Sequence, residues 1–180
     1  MARSRQRVLT AALELLAERG VAGATIEAIA HRAGVAKTTI YRQWPHQGAL
    51  VLDAFRTAAP DPPATDTGSA RTDLIVLLTG LAAGLTSAAV GTLLPSLIDA
   101  AGRDIDFATL HANEARRRHE PVIVVLQRAV ERGELPDDSN LDELLDRLAG
   151  PVFHRRYVSG LPLDQAFIEH VVDGVLPAAT

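Results

Sequence analysis

Ile26, Ile29, Ala30 and Ala33 recur at the i, i+3, i+4, i+7 spacing of a single helix face, and Gly34 follows at once. Such a stripe predicts an amphipathic helix of about two turns, with Thr25 as its N-cap. Gly34 stands where the chain has to leave that helix, a place where a positive φ costs least at glycine. The next segment, Lys37-Thr38-Thr39-Ile40-Tyr41-Arg42-Gln43-Trp44, holds the only lysine, the only tryptophan and one of the two tyrosines in the chain. Val35 and Ile40 are expected to face the same small core as the first helix, which leaves Lys37, Thr38, Thr39, Tyr41 and Arg42 on the outside of a second one. The pair reads as a helix-turn-helix. Short polar and cationic side chains near a helix N-terminus reach base edges and phosphates. A helix-glycine-helix pattern alone also describes a plain hairpin with a solvated basic face, and it is the density of matches that favours DNA.

The run from Gly34 through Val35-Ala36-Lys37 to Trp44-Pro45 resembles the recognition segment of the tetracycline-repressor (TetR) family of bacterial regulators. The likeness extends to a first helix, Arg5 to Arg19, with Val8, Ala12, Leu15 and Leu16 on one side and Gly20 at its end. It also takes in Ala24-Thr25-Ile26 opening the second helix and a fourth helix over Ala49–Phe55. Two departures stand out: the family usually has Ser before the Lys and a Ser-Lys pair after the Pro, whereas this chain has Ala36, His46 and Gln47. The missing second lysine removes one expected phosphate contact. Lys37, Thr38, Thr39 and Arg42 are candidates for bases or phosphates, and Tyr41 and Thr25 for phosphates.

Charge is divided unevenly. Residues 1–56 carry eight Lys or Arg against four acids, and the remainder ten against eighteen. A basic head on an acidic body is the electrostatic footprint of a DNA reader. Arg3, Arg5 and Arg7 are expected to form a mobile arm lying along or in a minor groove, the alternative being a frayed, solvated terminus.

The cluster Ala58–Ser69, rich in Pro, Asp, Thr and Gly, cannot sustain a helix and marks a boundary. It separates an expected DNA-binding domain, 1–57, from a ligand-binding and dimerisation domain, 70–180. With Leu and Ala abundant and aromatic residues scarce, the expected fold is all-α: a three-helix helix-turn-helix head plus a helical bundle, about nine helices in total. The absence of cysteine rules out a disulfide framework and a thiolate metal site, and it suits a cytoplasmic protein.

From Leu74 to Ile98 no charged residue occurs in 25 positions, close to the ~20 needed to span a bilayer. Thr79, Thr86, Ser87, Gly91, Thr92, Pro95 and Ser96, with no flanking aromatic belt, argue instead for two buried helices broken at Gly91 and Pro95. No membrane association is expected. Apolar helices carrying the hydroxyls of Thr79, Thr86 and Ser87 also have the makeup of an effector pocket, with plain hydrophobic core as the competing reading.

Two later segments resemble the C-terminal regulatory domain of one branch of the same family: Leu126–Leu135, with its Arg132-Gly133-Glu134-Leu135 turn, and Leu144–Tyr157, with Gly150-Pro151. In the family these helices usually form the dimer interface. Val122, Val125, Leu126 and Ala129 on one, and Leu144, Leu145, Leu148, Ala149 and Val152 on the other, make stripes expected to pair with a second copy.

Signs of an enzyme are lacking. The six histidines form no HExxH arrangement, and there is neither a phosphate-cradling glycine loop nor a nucleophile elbow. His111 and Glu114 are one helical turn apart and read as a solvated or partly satisfied pair, and Arg116-Arg117-Arg118 as a solvated helix face. No cofactor and no metal are expected. The partners are operator DNA, an unidentified small-molecule effector and a second copy of the chain, in a ligand-released repressor. Alternatives are a ligand-independent activator, or a helical small-molecule carrier or enzyme that has lost DNA affinity, to which Ala36 and Gln47 lend some weight.

Overall fold

A computed structural model describes residues 2–62 and 65–176, and among these the chain is entirely helical apart from its connections. The helices are α1 (Ala2–Gly23), α2 (Ile26–Ala33), α3 (Lys37–Tyr41), α4 (Gln47–Ala58), α5 (Ala70–Thr86), α6 (Ala88–Arg103), α7 (Ile105–Glu131), α8 (Leu141–His154) and α9 (Gln165–Asp173). A π-helical turn, Arg155–Ser159, extends α8. Of the residues expected in the Pro-rich boundary, Pro63 and Ala64 lie outside the described residues, as do Met1 and 177–180 at the ends of the two expected domains.

Two compact units result, and they cut across a single division of the sequence. The first joins residues 1–61 to 87–116, and the second joins 62–86 to 117–180. Within the first, α1 packs on α2, α4 and α6, and α2 on α3. Val8, Leu9, Ala12 and Leu15 of α1 meet a core supplied by Ile29, Ile40, Leu50, Val51, Ala54 and Leu97. Within the second, α5 packs on α8 and α9, and α8 on α9. Asp73 is buried there with its carboxylate accepting the Thr67 N–H at 3.0 Å, so the polar group is matched where it is taken out of water.

The glycine inside α1 has a structural task. Gly20 lies at φ 67 and ψ −174 and breaks the helix, which frees the Val21 N–H to donate to Ser96 Oγ of α6 at 2.9 Å. The Val21 carbonyl in turn accepts Gln47 Nε2 at 2.7 Å. A Cβ on residue 20 would lie 3.0 Å from Ser96 Oγ, on a backbone that is essentially reserved for glycine. Gly20→Ala is therefore expected to lose about 1–3 kcal/mol, read as a lower thermal midpoint; an unchanged midpoint would mean that the break relaxes without cost.

Two expectations about helix boundaries are corrected. The segment bearing Arg3, Arg5 and Arg7 is not an arm: from Ala2 it is the first turns of α1, fixed by Arg5 pairing with Asp53 and Arg7 donating to the carbonyls of Ala33 and Gly34. The apolar stretch from Leu74 breaks at Ser87, whose hydroxyl caps α6 by accepting the Val90 N–H at 3.2 Å. Gly91 and Pro95 both lie inside α6. A proline there forfeits one backbone hydrogen bond, whereas Ser87 supplies a positive start signal that fixes where α6 begins. Among the described residues no single helix is long and apolar enough to cross a membrane.

The residues expected to form the dimer interface are also corrected. Val125, Leu126, Ala129, Leu148 and Val152 have at most 1% of their surface exposed within the single chain, and Leu145 is buried as well. A side chain with no area left in water gains nothing when a partner covers it. These residues are core, and of the expected set Val122 and Ala149 stay half-buried.

Candidate nucleic-acid interface

The recognition surface is built by local chemistry on a small core. Thr25 caps α2, its Oγ1 accepting the Ala28 N–H at 3.2 Å, and still has a hydroxyl proton to donate outward. Gly34, at φ 61 and ψ 45, ends α2 in the left-handed conformation, with Val35 N–H returning to the Ala30 carbonyl at 3.0 Å. That turn aims α3. Ile40 of α3 is completely buried, and Trp44 just beyond it is 4% exposed, with its Nε1 donating to Asp53 of α4 at 2.8 Å. The same carboxylate accepts Arg5 at 2.7 Å, so one aspartate ties α1, α4 and the end of the recognition segment together.

With Ile40 and Trp44 turned inward, Lys37, Thr38, Tyr41 and Arg42 are exposed and Thr39 is half-buried. Tyr41 leaves half of its surface in water, unusual for a ring with no solvent-facing task and suited to a phosphate or sugar contact. Lys37 donates to Glu27 of α2 at 2.9 Å. This hydrogen bond pushes the Lys37 ammonium above its ordinary range, and it holds the Glu27 carboxyl below its own. Arg32 is engaged by Glu14 and Glu18, at 3.3 and 2.8 Å. Arg3, Arg7 and Arg32 line an open groove along α1 beside the Gly34 turn. Basic residues therefore continue from the recognition helix along the start of α1.

The departures from the family pattern each have a local outcome. Ala36 sits at the N-cap of α3 with no side-chain hydrogen bond, so this short helix lacks the cap that a serine would provide. His46 takes over capping of α4, its Nδ1 accepting the Ala49 N–H at 3.2 Å. Gln47 is turned back onto the Val21 carbonyl. Neither position carries the lysine that the family pattern usually places after the proline. Glu27 and Asp53 act at this surface without having been singled out from the sequence, because their partners are distant in the chain.

Behind the head, Arg56 of α4 holds the buried Glu114 of α7 with contacts of 2.6 and 2.8 Å. Glu114 thus faces Arg56, and the neighbouring His111, half-buried, is held below its ordinary pKa by desolvation. Among the described residues no group of three or more His, Asp or Glu could hold a metal ion.

The second unit contains a cavity of about 170 Å³ lined by Thr79, Ala82, Ala83 and Thr86 of α5 and by Leu163, Gln165 and Ile168. Of the three hydroxyls expected at an effector site, those of Thr79 and Thr86 come together here, while Ser87 has the capping role described above. Thr86 Oγ1 donates to the Ala82 carbonyl at 2.9 Å and keeps lone pairs for an incoming donor. The wall is mostly apolar with a few polar groups, as small-molecule sites are.

Residues 8–54 match the family model described as bacterial regulatory proteins, tetR family, and residues 64–175 match that of the tetracyclin repressor-like C-terminal domain. The HTH-type transcriptional regulator YdeS of Bacillus subtilis is 32% identical over 167 residues, covering 92% of this chain and 84% of its own. The DNA-binding transcriptional repressor TetR of Mycobacteroides abscessus is 36% identical over 178 residues, with 94% and 90% covered. The crystal structure of the TetR family transcription regulator SCO0332 superposes with a TM-score of 0.76 at 37% identity, covering 96% of each chain.

Proposed function

The chain belongs to the tetR family of bacterial regulatory proteins and is a DNA-binding regulator of transcription; on that premise we propose a ligand-released repressor that binds an inverted-repeat operator as a dimer. The observation that carries the DNA-reading half of this proposal is the exposed set Lys37, Thr38, Tyr41 and Arg42, held outward by the burial of Ile40 and Trp44. A repressing sign is supported by the Mycobacteroides abscessus relative, itself a transcriptional repressor. DNA as partner also sets the compartment as the cytoplasm, and the reading assigns the chain no reaction and no cofactor.

Regulators of this family act as dimers with small-molecule effectors. Two recognition helices must then enter major grooves about 34 Å apart or at a multiple of that distance. Selection from a genomic fragment library, followed by footprinting, tests the proposal: an enriched inverted repeat is expected, and its absence would overturn binding to an inverted-repeat operator as a dimer. For the subunit contact we infer the face of α8 left half-buried, where Ala149, Phe153 and Tyr157 recur every fourth residue and the Phe153 and Tyr157 rings lie 6.2 Å apart.

The effector site is proposed at the cavity between α5 and the start of α9. Its volume of about 170 Å³ suits a compact, mostly apolar molecule with a hydrogen-bonding group for Thr79, Thr86 or Gln165. Ligand can release DNA only to the extent that it prefers the DNA-incompetent conformer, and operator must weaken ligand binding by the same factor. Ala83 is exposed at the rim, so Ala83→Phe should fill the cavity with little strain. The variant is expected to keep its operator affinity and lose effector release; release at the wild-type effector concentration would place the site elsewhere.

A further inference from the structure

The recognition helix cannot hold its own direction. α3 has five residues, lacks a side-chain cap at Ala36 and packs on α2. A helix so short has no independent stability. Its far end is tied down by Trp44, which works in two directions. The Trp44 backbone N–H donates to the Ile40 carbonyl of α3 at 2.9 Å, and its indole Nε1 donates to Asp53 Oδ2 of α4 at 2.8 Å. Arg5 of α1 donates to the same oxygen at 2.7 Å, with its guanidinium 5.9 Å from the centre of the Trp44 ring. Asp53 is thus matched by a cation where it stands, and its side chain is only 21% exposed.

We propose that Asp53 is a positioning residue for operator recognition: acting through the Trp44 indole, it fixes the angle at which α3 enters the major groove. The inference rests on the DNA-binding reading above. Burial anchors the indole without orienting it, because apolar packing is non-directional. A hydrogen bond to a charged acceptor is directional and roughly twice as strong as a neutral one, so it selects one setting of the ring. That setting passes through the bond between the Trp44 N–H and the Ile40 carbonyl to the segment that carries Lys37, Thr38, Tyr41 and Arg42. Contacts to base edges need their donors placed to within about 0.5 Å. A cation, by contrast, attracts phosphates over a Debye length of about 10 Å. A loosened α3 therefore forfeits operator contacts and keeps its attraction for DNA in general.

The test compares the full chain and its variants on two duplexes of equal length, the selected operator and a scrambled version. Asp53→Ala is expected to lower operator affinity about ten- to hundredfold, through contacts weakened in both heads, while scrambled-duplex affinity falls no lower than in the wild type. Trp44→Phe keeps an aromatic ring and removes the Nε1 donor, so it should reproduce the operator loss. Combining the two should match Asp53→Ala alone to within about twofold, as expected of partners in one bond. Asp53→Asn presents a carbonyl oxygen where Oδ2 stood and should stay within about threefold of wild-type operator affinity. Should Asp53→Ala melt below the assay temperature, Trp44→Phe against Asp53→Asn carries the comparison. Wild-type operator affinity in Trp44→Phe would overturn the proposal. With selectivity relaxed at a single operator position in Asp53→Ala, that result would make Asp53 a base reader accepting from cytosine N4. Equal losses on both duplexes would overturn it too, as the mark of a lost fold or a lost phosphate contact. An Asp53→Asn protein as weak as Asp53→Ala would do the same, assigning the effect to the charge facing Arg5 instead of the indole. If the wild type binds neither duplex, the DNA-binding reading itself fails, and that outcome is distinct from each of the others.

Discussion

Alanine at both Lys37 and Thr38 is expected to lower operator affinity by two or more orders of magnitude while leaving the thermal midpoint where it was. Both side chains are exposed on the first turn of α3, whose packing is carried by Ile40 beneath them, so the head should fold without them. A good base contact is worth roughly five- to 150-fold in affinity. A dimer on an inverted repeat loses each contact twice, so the effect on the complete operator is the square of the effect on one half-site. Lys37 and Thr38 should also differ when changed singly. Loss of a base contact relaxes selectivity at one operator position, whereas loss of a phosphate contact weakens all sequences alike and lowers the salt slope by about 1. Unchanged operator affinity in the double variant, with an unchanged melting curve, would remove α3 from the interface.

Much of the head was legible because its signals are local. The stripe Ile26, Ile29, Ala30, Ala33 became the buried face of α2, with Thr25 and Gly34 at its two ends as their chemistry requires. What the sequence left hidden are contacts whose partners lie far along the chain. Asp53 joins Trp44 to Arg5, and Glu27 reaches Lys37 only because the Gly34 turn folds α3 back beside α2. Glu114 shows the limit of reading by neighbours: one turn from His111, it is buried on Arg56 instead. Competition between start and stop signals misled the reading of the apolar stretch. Gly91 and Pro95 look like breakers, yet a cap at Ser87 decides the boundary and the helix runs through both. In the second unit periodicity identified which sides of α7 and α8 are apolar but could not say what covers them. The same stripe serves a fold that buries it internally and one that offers it to a partner, and only the positions of α5 and α9 against α8 distinguish the two.

That distinction has a large measurable consequence at Leu148. Leu148→Asp is expected to unfold the second unit rather than to yield a folded monomer. Leu148 is 0% exposed, as is Val152 one turn on, and the α9 residues Ile168 and Val172 are buried to within 1%. Removing a buried leucine side chain costs about 2–5 kcal/mol in lost transfer and cavity terms. The carboxylate put in its place must either be desolvated or take up a proton on folding, which adds several kcal/mol more. Together these rival the roughly 5–15 kcal/mol that holds a whole domain together. Circular dichroism should show lost helix and no cooperative transition near the wild-type midpoint. Phe153→Asp provides the contrast, because Phe153 is only half-buried and lies on the opposite side of α8 from the Leu144, Leu148, Val152 stripe. It should keep its helix content while sedimentation shows weaker self-association and titration shows weaker operator binding, since one head alone forfeits the second half-site. A folded, monomeric Leu148→Asp protein would return that stripe to the subunit interface and require α8 to pack differently from the arrangement described.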